Sequence, residues 1–179
     1  MVVVRNLVVK QALRKDEMNP REKRLENEYR ELRAAFDAEP NIEIIAMGPV
    51  PSDKYRIVYK VPSLRLNSQN QPIRVDATVV EIELPMGYPK VPPVARTIAG
   101  DVVFHPNFNA TKICLADHWA PAQQLVDIVK EIGEMLQWQK FNIRSPLNAH
   151  AAEWSQQHPN QIPLSKIQLG TGEVSIKIK

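Results

Sequence analysis

Three short stretches hold the residues best suited to chemistry: Phe104-His105-Pro106-Asn107-Phe108-Asn109, Ile113-Cys114-Leu115 and Trp119-Ala120-Pro121-Ala122. Cys114 is the single cysteine, so it closes no internal disulfide, and packing, metal binding or nucleophilic chemistry remain open to it. Composition alone makes a thiol between Ile and Leu a small buried hydrophobe. The preceding residues argue for more. Pro106 stiffens the chain after His105, so His105 and Asn107 are expected in a turn just before the thiol, with ring and amide able to face it. A neutral amide NH2 donates to an oxyanion developing on a thioester carbonyl without competing as a base, which makes acyl transfer through Cys114 the natural chemistry. A cysteine hydrolase would instead need His105 or His118 to generate a thiolate. A metal site built from Cys114, His118 and a distant histidine lacks a second cysteine and paired ligand spacing, so no metal is expected.

The elements that must hold these stretches follow from periodicity. Leu25, Tyr29, Leu32 and Phe36 recur at helical spacing over residues 21–39, with Pro20 in the first turn and Pro40 as the stop. Arg21, Lys23, Arg24, Arg30 and Arg33 are expected mostly on the solvent side of this helix. The runs Ile42–Met47, Tyr55–Val61 and Val75–Leu84 predict an antiparallel meander. In the third, Val75, Ala77 and Val79, then Ile82 and Leu84, are assigned to a buried face. Between Pro85 and Ala122 periodicity disappears under six prolines, and long irregular segments in compact domains tend to be functional. Leu125, Ile128, Val129, Ile132, Met135 and Leu136 then predict a buried helix, and a shorter helix is expected after Pro146. From Pro159 onward, Ile162–Leu169, Gly170-Thr171-Gly172 and the alternation of Val174, Ile176 and Ile178 with Ser175, Lys177 and Lys179 predict a hairpin. It must dock on the core, on the β-prone Val2–Val9 segment, or on a partner.

The whole-chain figures agree with one globular domain plus extensions. The 179 residues are 44% hydrophobic, enough for a core without disulfides or metal. A net charge of +3 is too small an excess to predict nucleic-acid binding. No apolar run approaches the ~18 residues a membrane helix needs. Arg5 and Lys10 interrupt the apolar start before an export signal forms, and a lone thiol suits a reducing cytoplasm.

The order of motifs resembles the ubiquitin-conjugating enzyme family over roughly residues 20–158. The resemblance runs through the N-terminal helix, the meander, Tyr88-Pro89-Lys90-Val91-Pro92-Pro93, His105-Pro106-Asn107, Ile113-Cys114-Leu115, Trp119-x-Pro121-Ala122, the long helix, and Ser145-Pro146-Leu147-Asn148 with Ala151-Ala152. It implies an α+β fold, a four-stranded antiparallel meander flanked by helices, with the cysteine in a shallow groove. The chain would then divide into an extension over 1–19, a catalytic core over 20–158 and a hairpin extension over 159–179.

Carried over by position, the resemblance implies that Cys114 accepts a ubiquitin-like protein as a thioester from an activating enzyme and passes it to a lysine of a target. Asn107 would stabilise the oxyanion or order the adjacent loop, and His105 would shape the turn. Ser145 stands where many members carry an acidic gate residue, with Asp117 or His118 as compensating groups. Arg21, Lys23, Arg24, Arg30 and Arg33 would contact the activating enzyme. Lys90 takes the place of a usual aromatic anchor for ligases, beside the small-residue loop at Ala120-Pro121-Ala122. No cofactor is implied beyond the ATP that the activating enzyme uses. The Asn107–Cys114 interval is one residue shorter than usual, Cys114–Trp119 is shorter by about three by the same comparison, and the glycine before Ile113-Cys114 is absent. With the tail, these trimmed loops resemble the stand-alone conjugating enzymes of bacterial ubiquitin-like operons, some of which serve antiphage defence. The alternative is a non-catalytic module of the same fold that displays a ubiquitin-like protein.

Overall fold

Asn19 starts the first helix by accepting the Glu22 backbone N–H at 2.9 Å while the Glu22 carboxylate accepts the Asn19 N–H at 2.9 Å, a reciprocal cap that leaves Pro20 in the first turn. The computed structural model describes residues 18–115 and 119–170. Helix α1 (Pro20–Phe36) is followed by strands β1 (Ile42–Ala46), β2 (Lys54–Tyr59), β3 (Ser63–Leu66), β4 (Pro72–Val75), β5 (Thr78–Glu83) and β6 (Val94–Thr97). Helices α2 (Leu125–Leu136) and α3 (Ala149–Gln157) and a short 3-10 turn (Pro159–Gln161) complete the described elements. Helix α1 stops at Phe36, three residues before the expected end at 39, because Pro40 drives the residue ahead of it out of the helical region.

The expected four-stranded antiparallel sheet is present in the order β1-β2-β5-β6. Strands β3 and β4 form a separate two-stranded ladder that the periodicity does not predict. They prolong the β2–β5 hairpin past a break: Tyr59 pairs with Thr78 and Ser63 with Val75, so residues 60–62 on one side stand against residues 76–77 on the other. That extra residue is a bulge on the β2–β3 side, and it leaves the alternation of β5 itself intact. The buried side of β5 is Thr78, Val80 and Ile82, continued by Leu84, whereas Ala77 is exposed and Val79 only half-buried. This corrects the face assigned to Val75, Ala77 and Val79. Buried Thr78 is paid for by a 2.8 Å hydroxyl bond to Ser63.

Leu25, Leu32 and Phe36 of α1 and Ile128, Val129, Ile132 and Leu136 of α2 share one core with Tyr55, Ile57, Val80 and Ile82 of the sheet. A second cluster joins Leu64, Phe104, Trp138 and Ala151. Residues 162–169, expected as one arm of a hairpin, run without a strand partner among the described residues and lie against α2; residues 171–179 and the Val2–Val9 segment are outside the described residues. Among the described residues no helix is long and apolar enough to cross a membrane.

Candidate active site

The turn ahead of the thiol is built from backbone bonds. Asn109 Oδ1 accepts the N–H groups of Thr111 and Lys112 at 2.9 and 2.8 Å, closing a tight loop across which Phe108 faces Ile113. The Cys114 N–H then donates to Asn107 O at 2.8 Å, and the Ile113 N–H to Ala95 O of β6 at 2.8 Å. The shortened interval between Asn107 and Cys114 is thus a compact hairpin tied to the sheet edge. Cys114 emerges from it half-buried, on a cleft of about 340 Å³ whose walls include Pro93, Ala95, Ile113, Leu115 and Trp119.

Asn107 is nearly buried, and its amide is oriented from behind. The Asn142 backbone N–H donates to Asn107 Oδ1 at 2.8 Å, which turns Nδ2 toward the Cys114 carbonyl at 3.5 Å. An amide NH2 therefore faces the residue that would carry an acyl group. His105 does not face the thiol. Its ring is fully buried, edge-on to Phe108 and Trp138, and its Nδ1 accepts the Asn107 backbone N–H at 3.1 Å. Burial lowers its pKa to about 3, so the ring stays neutral and shapes the turn.

Ser145 is exposed on the loop between α2 and α3. This loop leans on the His105–Asn107 turn through the Asn142 contact and through the Asn148 N–H, which donates to Pro106 O at 3.1 Å. The Ser145 N–H donates to Asn142 Oδ1 at 3.1 Å. The fold thus brings Cys114, Asn107, His105 and the Ser145 loop together. Asp117 and His118 lie outside the described residues.

Lys90 and Ala120 are both exposed, on two loops that Trp119 ties together by donating its indole N–H to Pro89 O at 2.7 Å. Neighbouring Met86 and Val91 are exposed apolar side chains beside Lys90. The basic set on α1 divides. Lys23, Arg30 and Arg33 face outward, Arg33 paired with Asp37 at 2.7 Å. Arg21 turns inward to Asp53 and Leu84 O at 3.2 and 3.1 Å. Arg24 is a joint rather than a surface contact: it pairs with Glu28 at 2.6 Å, donates to Pro121 O, Gln123 O and Tyr88 Oη, and stacks over the Tyr88 ring. The expected solvent-side role holds for three of the five; Arg24 departs because Glu28 is a buried carboxylate that needs a cation, and Arg21 because it bridges to Asp53 and the Leu84 carbonyl.

Two residues of this arrangement escape the sequence reading. Glu28 stands three residues after Leu25 and four before Leu32, beside the apolar stripe, and only its charge reads as solvated, while Asn142 sits in a loop with no periodicity; the one available signal for Asn142 is its place two and three residues ahead of the N–H groups it caps. Among the described residues no group of three or more His, Cys, Asp or Glu is placed to hold a metal ion. Residues 74–164, which include the turn, the thiol and the Ser145 loop, match the sequence model of the family described as ubiquitin-conjugating enzyme. No curated protein matches the chain.

Proposed function

The chain belongs to the ubiquitin-conjugating enzyme family, and from that membership we propose that Cys114 carries a ubiquitin-like protein as a thioester and transfers it to a lysine of a target. The observation that carries this reading is the half-buried thiol on an open cleft, with the Asn107 amide NH2 held against the backbone carbonyl of Cys114. In the first step the Cys114 thiolate attacks the carbonyl of the activating enzyme's thioester. A new C–S bond forms at Cys114, and the activating enzyme's cysteine leaves as thiolate. In the second step a neutral lysine amine attacks the Cys114 thioester. The tetrahedral oxyanion collapses, the C–S bond breaks, Cys114 departs as thiolate, an isopeptide bond forms, and the amine proton passes to water. Asn107 supplies the donor to the oxyanion, the term that removal of such donors shows to be large. Ser145 orients the incoming amine by hydrogen bonding in place of a carboxylate. His105, neutral and buried, takes no proton.

Lys23, Arg30 and Arg33 form the outward basic face for the activating enzyme, which also consumes the ATP; this chain needs no cofactor of its own. Lys90 and Ala120 present the face for a ligase, if the target requires one. The compact 107–114 hairpin supports the trimmed, stand-alone bacterial type, for which antiphage defence is one setting.

The test is intact mass after incubation with a cognate activating enzyme, a ubiquitin-like protein and ATP. An adduct on the wild type that thiol reductant removes is expected, with a reductant-stable oxyester on Cys114→Ser and none on Cys114→Ala. Absence of any adduct, with the activating enzyme itself charged, would leave the non-catalytic display module.

A further inference from the structure

Asn142 is used twice. Its backbone N–H holds Asn107 Oδ1 at 2.8 Å and so aims the Asn107 NH2 at the Cys114 carbonyl, at 3.5 Å. Its side-chain Oδ1 accepts the N–H groups of Arg144 and Ser145 at 2.9 and 3.1 Å, an Asx turn that folds 142–145 back on itself and sets where Ser145 stands. Phe141 anchors the segment on one side, edge-on to Trp138 and His105 at 5.5 and 6.4 Å, whereas Ile143 beyond it is 44% exposed, so from Asn142 to Ser145 the turn is held chiefly by these bonds.

We infer that Asn142 is a positioning residue for the discharge step, coupling the oxyanion donor Asn107 to the gate residue Ser145 through one turn. The inference rests on the transfer reading above. Loss of the Asx carbonyl lets the turn open, which moves the Asn142 N–H away from Asn107 and Ser145 away from the thioester together. Amine attack needs both groups in place. Thiol exchange from the activating enzyme uses the Cys114 thiolate itself and has no need of the gate, so loading is the less affected half.

The experiment preloads the full-length protein with a ubiquitin-like protein and follows single-turnover discharge to free lysine across pH, for wild type, Asn142→Ala, Asn142→Asp and the pair Asn107→Ala with Asn142→Ala. Asn142→Ala is expected to discharge about 10- to 100-fold more slowly at the pH plateau, the cost of a small misplacement of reacting groups, while loading stays within about twofold. Asn142→Asp keeps the acceptor and is expected to recover most of the plateau rate. The double variant is expected to be no slower than the slower single one, because both changes disable one unit. Wild-type discharge by Asn142→Ala, equal slowing in Asn142→Asp, or additive losses in the double variant would each overturn the inference. A wild type that forms no thioester would instead overturn the transfer reading on which it stands.

Discussion

At the scale of single residues, His105 has the clearest signature in solution. It is buried and neutral with its pKa lowered to about 3, against an ordinary value near 6.5 in the unfolded chain. A histidine whose folded pKa is depressed leaves stability intact above the unfolded value. Below it the unfolded state takes up the proton first, so stability is lost as pH falls from about 6.5 toward 3, at about 1.4 kcal/mol per pH unit. His105→Asn keeps an acceptor for the Asn107 N–H but does not titrate. The difference between wild-type and variant unfolding free energies, measured by denaturant titration at pH 7, 6 and 5, is expected to shrink by about 2 kcal/mol over that range. A constant difference would mean that the ring titrates in the fold as it does in the unfolded chain. The motif His105-Pro106-Asn107 is legible in the sequence because proline imposes the turn locally. The direction in which the ring faces is not, because Trp138 and Phe108 decide it.

At the scale of elements, Glu28 joins α1 to everything that frames the site. Its Oε1 takes Arg24 and the Tyr88 hydroxyl, and its Oε2 accepts the Leu125 N–H at 2.8 Å, the first orphan donor of α2. One carboxylate thereby fixes a helix start, the Tyr88–Pro89 loop and, through Arg24, the Pro121–Gln123 loop. Tyr88 is held strongly protonated by burial and by this carboxylate. Glu28→Ala strands Arg24 and the Leu125 N–H and is expected to cost about 3 kcal/mol, read by chemical denaturation. Arg24→Glu is expected to destabilise by a similar amount. By contrast, Lys23→Glu with Arg30→Glu, both outward, should slow loading by the activating enzyme with little change in unfolding midpoint. If reversal at Arg24 slowed loading alone, with stability unchanged, its place as a joint would be wrong. Helical spacing shows that α1 exists and which face is apolar, yet the charges of Glu28 and Arg24 read as solvated because their partners lie some 60 to 100 positions away in sequence.

At the scale of the whole molecule, residues 162–170 strap the C-terminal end of the described chain across α2. Buried Gln137 grips the strap like a paired strand: its Oε1 accepts the Ile167 N–H at 2.8 Å and its Nε2 donates to Ile167 O at 3.0 Å. Leu169 enters the main core over Gly133, where a Cβ would collide with Leu169 Cδ1, and the Gly170 N–H reaches Glu39 at 3.2 Å. Leu169→Ala is expected to cost about 2 kcal/mol or more by the usual penalty for truncating a buried leucine. Gly133→Ala is expected to expose 162–170 to limited proteolysis despite better helix propensity. Unchanged protease resistance in both would show that the strap adds nothing to the fold.

The features legible along the chain are local. Proline placement set the turn before Cys114, the 3.6-residue period set α1 and α2, β-branched runs set the sheet strands, and the order of motifs pointed to the family. Tertiary structure decided the rest: which face of β5 is buried, because the strand carries apolar residues on both faces and the core packs against one; that Arg24 turns inward, because a buried carboxylate must be neutralised; and where Asn142 acts, because its partner Asn107 lies 35 positions earlier. Periodicity and backbone sterics are written within a few residues, whereas hydrogen-bond partners across the core exist only after the chain has closed on itself.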